Sequence, residues 1–232
     1  IFNEDKYLYQ DVLDITNKIK DIFNGRRLII LIADNDLVSL SVYLRSIQSR
    51  VPIMLLSKKL DSSELDVIVN KFKPSYLISS KNLCNFCANK PTKRIFENYY
   101  LYEFTQFGSV NFFDDLALLL PTSGSTGSAK FVRISYQNIL SNAQSIIKFL
   151  KINCEDVSIT TLPMSYSFGL SIINTYVDMG ACLVLTNKSI VERDFWSLIS
   201  KHSVTSISGV PYTLQLLKQL GFLRMSYPSL RT

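Results

Sequence analysis

Apolar residues recur along this chain in two rhythms, and their alternation sets the architecture. Over residues 5–23, Leu8, Val12, Ile15, Ile19, Ile22 and Phe23 fall at three- and four-residue steps before Asn24-Gly25 ends the pattern. That spacing gathers side chains on one face of an α-helix. Residues 28–33, LIILIA, are instead continuously apolar, as a strand covered on both faces requires. The pairing repeats through a helix over 36–49, a strand over 51–56, a helix opened by Asp61 with Glu64 three residues on, and a strand over 75–80. An acceptor at the cap and a Glu three residues later form a capping box. Strands alternating with helices predict parallel βαβ units. Residues 81–113 lose the rhythm and carry aromatics, among them Tyr99, Tyr100, Tyr102, Phe104, Phe107, Phe112 and Phe113. Such a series can stack nucleic-acid bases; edge strands and a loop over a core account for it more simply. The predicted lobe boundary falls here, giving lobes 1–113 and 114–232.

The next stretch has the least ordinary composition. The apolar run Leu116–Leu120 stops at Pro121, and Thr122, Ser123, Gly124, Ser125, Thr126, Gly127 and Ser128 supply only hydroxyls and glycines. Lys130 follows, and Phe131–Ser135 alternates apolar and polar. The pattern predicts strand, polar loop, strand. Glycine permits backbone geometries that let N–H groups converge on an anion, and Lys130 adds a cation, so a polyphosphate is the natural guest. A Walker A loop needs Gly, four residues, then Gly-Lys-Ser/Thr opening a helix; here Gly124 and Gly127 are three apart and a strand follows. An ordinary hairpin turn uses the same residue types, but its loop usually has about two to five residues.

Beyond Ser135, a predicted helix cap, a helix carries Ile139, Leu140, Ala143, Ile146, Ile147 and Leu150. Strands over 157–162, 181–186 and 203–210 then alternate with helices over 168–180, 193–202 and 211–221. The fold class is α/β, with mainly parallel sheets in two lobes. The segment Leu162–Gly169 leaves a strand, turns at Pro163 and enters a helix with Tyr166 and Phe168 at its start. Open α/β sheets bind ligands at the carboxyl ends of strands.

Composition narrows the function classes. The charge of +6 is spread without a dense Lys/Arg block, which suits an anionic small ligand, and no nucleic-acid partner is expected. No apolar stretch approaches the ~20 residues of a membrane span, and the start lacks a signal-peptide layout; the cytoplasm is the expected location. Cys84 and Cys87 form an isolated Cys-x-x-Cys, Cys154 and Cys182 lie far off, and His202 is the single histidine. Free thiols are expected rather than a zinc site.

The stretch TSGSTGSAK resembles the phosphate-loop signature of the adenylate-forming superfamily, which includes acyl-CoA synthetases, aminoacyl-adenylating domains and luciferases. The likeness runs through Thr122, Ser123, Gly124, Ser125, Thr126, Gly127 and Lys130. It departs at Ala129, where that family usually has Pro, and at Phe131, where it usually has Gly. Leu162–Gly169 is similar to the family's Leu-Pro-x-x-His-x-x-Gly, with Tyr166 where His is commonest. Val210-Pro211 matches a third motif, a strand ending in Val-Pro before a helix.

The resemblance implies the fold of such an enzyme's N-terminal domain and an ATP-dependent reaction that activates a carboxylic acid as its acyl-adenylate. The acyl group then passes to the thiol of CoA or of a carrier protein's phosphopantetheine. By the same resemblance, Thr122–Gly127 and Lys130 bind the nucleotide, Lys130 in a supporting catalytic role, while Tyr166, Phe168, Gly169, Val210 and Pro211 border the acyl substrate. It implies Mg2+ as well, on a ligand beyond this chain, because the family's later motifs have no counterpart before Thr232. The 232 residues are thus expected to be a first part of the enzyme, inactive alone. An aminoacyl-adenylating domain, a non-catalytic module keeping the fold, and an unrelated phosphate-binding α/β protein are the alternatives.

Overall fold

The computed structural model describes residues 1–2, 5–81, 83, 93–96, 98–105, 112–122 and 130–231. Packing divides the chain into two units, one of residues 8–34 with 38–138 and one of residues 1–7 and 35–37 with 139–232.

In the first unit, helix α1 (Tyr9–Asp14) passes into a 3-10 segment, Ile15–Phe23, where the periodicity predicts one continuous helix. The Leu13 carbonyl there accepts from the Thr16 hydroxyl at 2.7 Å and from the Arg45 guanidinium at 3.0 Å. Side-chain bonds of this kind compete with the α-helical ladder. The predicted alternation follows as β1 (Ile29–Ala33), α2 (Leu37–Gln48), β2 (Ile53–Ser57), α3 (Ser62–Phe72) and β3 (Tyr76–Ser79). The capping box forms: Asp61 accepts the Glu64 N–H at 2.8 Å, and the Glu64 carboxylate accepts the Asp61 N–H at 3.3 Å.

Strands β4 (Lys93–Phe96), β5 (Tyr99–Glu103), β6 (Leu116–Pro121) and β7 (Phe131–Ser135) complete a seven-stranded sheet ordered β4-β5-β3-β1-β2-β6-β7. The central β3, β1, β2 and β6 are parallel, and β5, β4 and β7 join antiparallel. Tyr99 and Tyr102 are buried, with the Tyr99 hydroxyl 2.7 Å from that of Ser39 and the Tyr102 hydroxyl accepting the Leu83 N–H at 2.7 Å. These aromatics pack a sheet flank rather than present rings to solvent. Phe107, Cys84 and Cys87 lie outside the described residues. Packing groups β6 and β7 with this sheet, through the register Ile53↔Leu118 and Met54↔Leu119, whereas the sequence break at 113 assigns them to the second lobe.

Helix α4 (Tyr136–Leu150) starts at a reciprocal pair: Asn138 N–H donates to the Ser135 hydroxyl at 3.0 Å, and Ser135 N–H to the Asn138 side-chain oxygen at 3.1 Å. The second unit then runs β8 (Val157–Ile159), α5 (Ser167–Asp178), β9 (Cys182–Val184), α6 (Arg193–Lys201), β10 (Ser206–Ile207) and α7 (Pro211–Gln219). Its three strands are parallel, in the order β10-β8-β9. Ile159, Val184, Phe195, Trp196, Ile199 and Val204 form the core beneath them. The last strand is shorter than the pattern 203–210 predicts: ladder pairing stops after Ile207, the Ser208 carbonyl accepts instead from the Thr161 hydroxyl, and Val210 is already the N-cap position of α7. Among the described residues, no helix is long and apolar enough to cross a membrane.

Candidate functional site

Strand β6 is buried through Leu120 and becomes exposed at Pro121 and Thr122. Since β6 is parallel to β2, and β2 to β1, the strand ends on the edge where the central strands all finish. That is the edge at which open α/β sheets take ligands. The Thr122 N–H donates to the Lys130 carbonyl at 2.9 Å, and the Thr122 hydroxyl reaches the same oxygen at 3.3 Å. With Pro121 opposite Phe131, the two strands close the base of the loop and fix its ends side by side. Thr122 and Lys130 are both exposed. Ser123, Gly124, Ser125, Thr126 and Gly127, with Ala129, lie outside the described residues. Phe131, a departure from the usual glycine, packs edge-on against Phe72 of α3, with ring centres 4.8 Å apart. Its bulk is therefore absorbed by the core.

In the second unit, the chain leaving β8 carries the next motif. Tyr166 is the N-cap of α5 and Phe168 lies in its first turn; they are 55% and 43% exposed. Gly169 has a steric reason. A Cβ at this position would stand 2.4 Å from the Pro163 carbonyl oxygen and 2.8 Å from that of Leu162. Only glycine lets α5 approach the turn so closely. The Tyr166 N–H donates to the Pro163 carbonyl at 3.0 Å, tying the aromatic to that turn.

Val210 is the N-cap of α7 and Pro211 its first residue, a position where the missing N–H is no loss. The Thr213 hydroxyl accepts the Val210 N–H at 3.2 Å. The Thr161 hydroxyl donates to the Ser208 carbonyl, stitching the exits of β8 and β10 together. Tyr166, Phe168, Gly169, Val210 and Pro211 thus share the carboxyl edge of the three-stranded sheet, while Thr122 and Lys130 stand at the carboxyl edge of the seven-stranded one.

Asn35, between the strand and the helix that the pattern predicts on either side of it, carries no signal of its own in the sequence. It is buried, and its side chain bonds to Leu162, Met164 and Thr186. A lone Asn between two acidic residues gives no periodic signal; its place just beyond β1 is the one hint. Thr160 and Thr161 were likewise part of an undifferentiated strand.

At the far end of β8, Asp156 is buried. Burial pushes its carboxyl upward, but hydrogen bonds from Arg231, the Asn153 N–H and Thr205 outweigh that and hold it below the usual carboxylate range. A groove of about 550 Å³ lies along Val184–Lys188 and α6, where Lys188 pairs with Asp194 at 3.0 Å; none of the motif residues lines it. Among the described residues, no group of three or more His, Cys, Asp or Glu could hold a metal ion, and Cys154 and Cys182 are free thiols.

Comparison with known proteins bears on this arrangement. An acyl-CoA ligase, frbB, of a Dothideomycetidae strain is 30% identical over 121 residues, 51% of this chain and 21% of that protein. A probable CoA ligase of Humulus lupulus, CCL5, is 28% identical over 176 residues, 75% of this chain and 30% of that protein. The matched stretches thus span less than a third of either relative's length. Among solved structures, the O-succinylbenzoate coenzyme A synthetase of Bacillus subtilis in complex with AMP superimposes with a TM-score of 0.79 at 21% identity, over 99% of this chain and 61% of that one. This likeness establishes the fold. The AMP-binding enzyme family matches residues 44–232, which span both carboxyl edges just described, and the chain belongs to that family.

Proposed function

We propose that the complete protein is an AMP-forming acid–thiol ligase: it activates a carboxylic acid with ATP and passes the acyl group to CoA or to a carrier-protein thiol. The observation that carries this is the closed base of the loop between Thr122 and Lys130, on the ligand-binding edge of the sheet, in a chain of the AMP-binding family.

The residues suggest the following division of labour. Adenylation places the acid's carboxylate on the α-phosphate and expels pyrophosphate, so negative charge must be held on the leaving oxygens. Hydroxyls and backbone N–H groups of Thr122–Gly127 donate to those oxygens, and Lys130 supplies a cation at the loop's exit. Such donors act best when already in place, and the Thr122–Lys130 hydrogen bond holds the loop's ends before nucleotide arrives. Tyr166 and Phe168 line the acid's path, with Gly169 allowing the close turn beneath them and Val210-Pro211 bordering the same edge. Orientation of the carboxylate, rather than new covalent chemistry on the protein, is what these side chains contribute. Mg2+ would accompany the nucleotide, held mainly by its phosphates with one or two protein carboxylates. A cytoplasmic setting suits the free thiols Cys154 and Cys182, which a reducing compartment preserves.

The test is ATP–pyrophosphate exchange by the complete protein across a panel of fatty, aryl and amino acids. Exchange that depends on one class of carboxylate is the expected result. Absence of exchange with every acid, in protein that binds ATP, would leave a binding module that keeps the family fold.

A further inference from the structure

We infer that Asn35 is a positioning residue for Tyr166 and Phe168, the aromatics assigned to the acid, an inference that rests on the adenylation function proposed above. Asn35 is 6% exposed, and its carboxamide is used on both sides. Its Nδ2 donates to the Leu162 carbonyl at 3.0 Å and to the Thr186 carbonyl at 3.3 Å, while its Oδ1 accepts the Met164 N–H at 2.9 Å. One side chain therefore grips the chain leaving β8 on either side of Pro163 and joins it to the chain leaving β9. Thr186 is secured in turn: its N–H donates to the Thr160 hydroxyl at 2.8 Å, and that hydroxyl donates to the Thr186 carbonyl at 3.0 Å.

The grip is passed on to the exposed aromatics. The Leu162 carbonyl that Asn35 holds also abuts Gly169, as does the Pro163 carbonyl, which accepts the Tyr166 N–H. Moving the Leu162–Met164 turn must therefore move the first turn of α5, and with it Tyr166 and Phe168. A carboxamide is the side chain this geometry demands, because it offers two donors and an acceptor in one plane. Aspartate fills the same volume but would set an oxygen against two carbonyl oxygens.

The experiment uses the complete enzyme with Asn35→Ala and Asn35→Asp. Exchange rates are measured while the acid and ATP are varied separately, and amide hydrogen exchange is followed over residues 160–170. The acid's KM should rise roughly tenfold or more, as expected for a disrupted buried hydrogen-bond set, with the KM for ATP little changed. Met164 and Tyr166 amides should exchange faster while those of α3 do not. Combined with Tyr166→Ala, the loss should be less than additive, because Asn35 acts through that residue. An equal rise in both KM values, additive losses, or failure of both variants to fold would overturn the inference. If the wild-type enzyme exchanges with no acid, the adenylation function falls; the amide exchange then still decides whether Asn35 holds the turn.

Discussion

Gly169 and Pro163 touch through their backbones: a Cβ at position 169 would lie 2.4 Å from the Pro163 carbonyl oxygen. Gly169→Ala would gain up to about 1 kcal/mol in helix propensity. Overpacking against an immovable backbone costs about 1–3 kcal/mol, so the clash wins. Thermal unfolding should show a midpoint lowered by roughly 2–6 °C for a domain of this size, and the complete enzyme should bind its acid more weakly. A midpoint at or above wild type would mean that the turn yields freely.

Phe131 tests whether a departure from the family pattern concerns packing or chemistry. Its ring meets that of Phe72 edge-on, at an interplanar angle of 72°. Phe131→Gly, which restores the common family residue, should lower stability by about 1–3 kcal/mol, since the ring is only half-buried. Nucleotide affinity should stay close to wild type in a titration of the complete protein. Unchanged stability with tighter ATP binding would instead make Phe131 an obstruction in the loop.

Asp156 sets a pH dependence. Its folded carboxyl lies below the ordinary value despite burial, because Arg231, the Asn153 N–H and Thr205 favour the charged form. A depressed folded pKa gives stability that is complete above the unfolded value, near about 4. That stability is lost as the pH falls further, through the folded value. Denaturant midpoints should therefore drop below about pH 4, and Asp156→Asn should flatten that limb while costing roughly 1–3 kcal/mol at neutral pH. An acid limb unchanged in the variant would remove Asp156 from the account.

Ser135 and Asn138 start α4 as a mutual pair, each side chain bonded to the other's N–H. Ser135→Ala should cost about 1 kcal/mol, or roughly 2–4 °C in the thermal midpoint. Adding Asn138→Ala should cost less than the two single changes together. Strict additivity would show that the two caps act independently.

Much of the frame was legible in the chain because its causes are local. Continuous apolar runs gave β1, β2 and β6, Asp61 and Glu64 gave the start of α3, and the Gly/Ser/Thr tract between Leu120 and Lys130 gave the family. Gly169 was legible as a motif position, though its steric reason needed the Pro163 carbonyl beside it. What escaped depends on partners far along the chain. Asn35 reaches Leu162 across 127 residues, and no period or spacing announces a single side chain with distant backbone partners. The allegiance of β6 and β7 to the first sheet escaped similarly, because strand order is fixed by pairing with β2 and not by proximity in sequence.

The most direct measurement is a structure of the complete protein with ATP bound, or with a stable mimic of the acyl-adenylate. The account predicts β- and γ-phosphate oxygens within hydrogen-bonding distance of the Thr122–Gly127 segment, with Lys130 beside them. Phosphates seated away from that loop would contradict it, and the family fold would then be serving some other purpose in this protein.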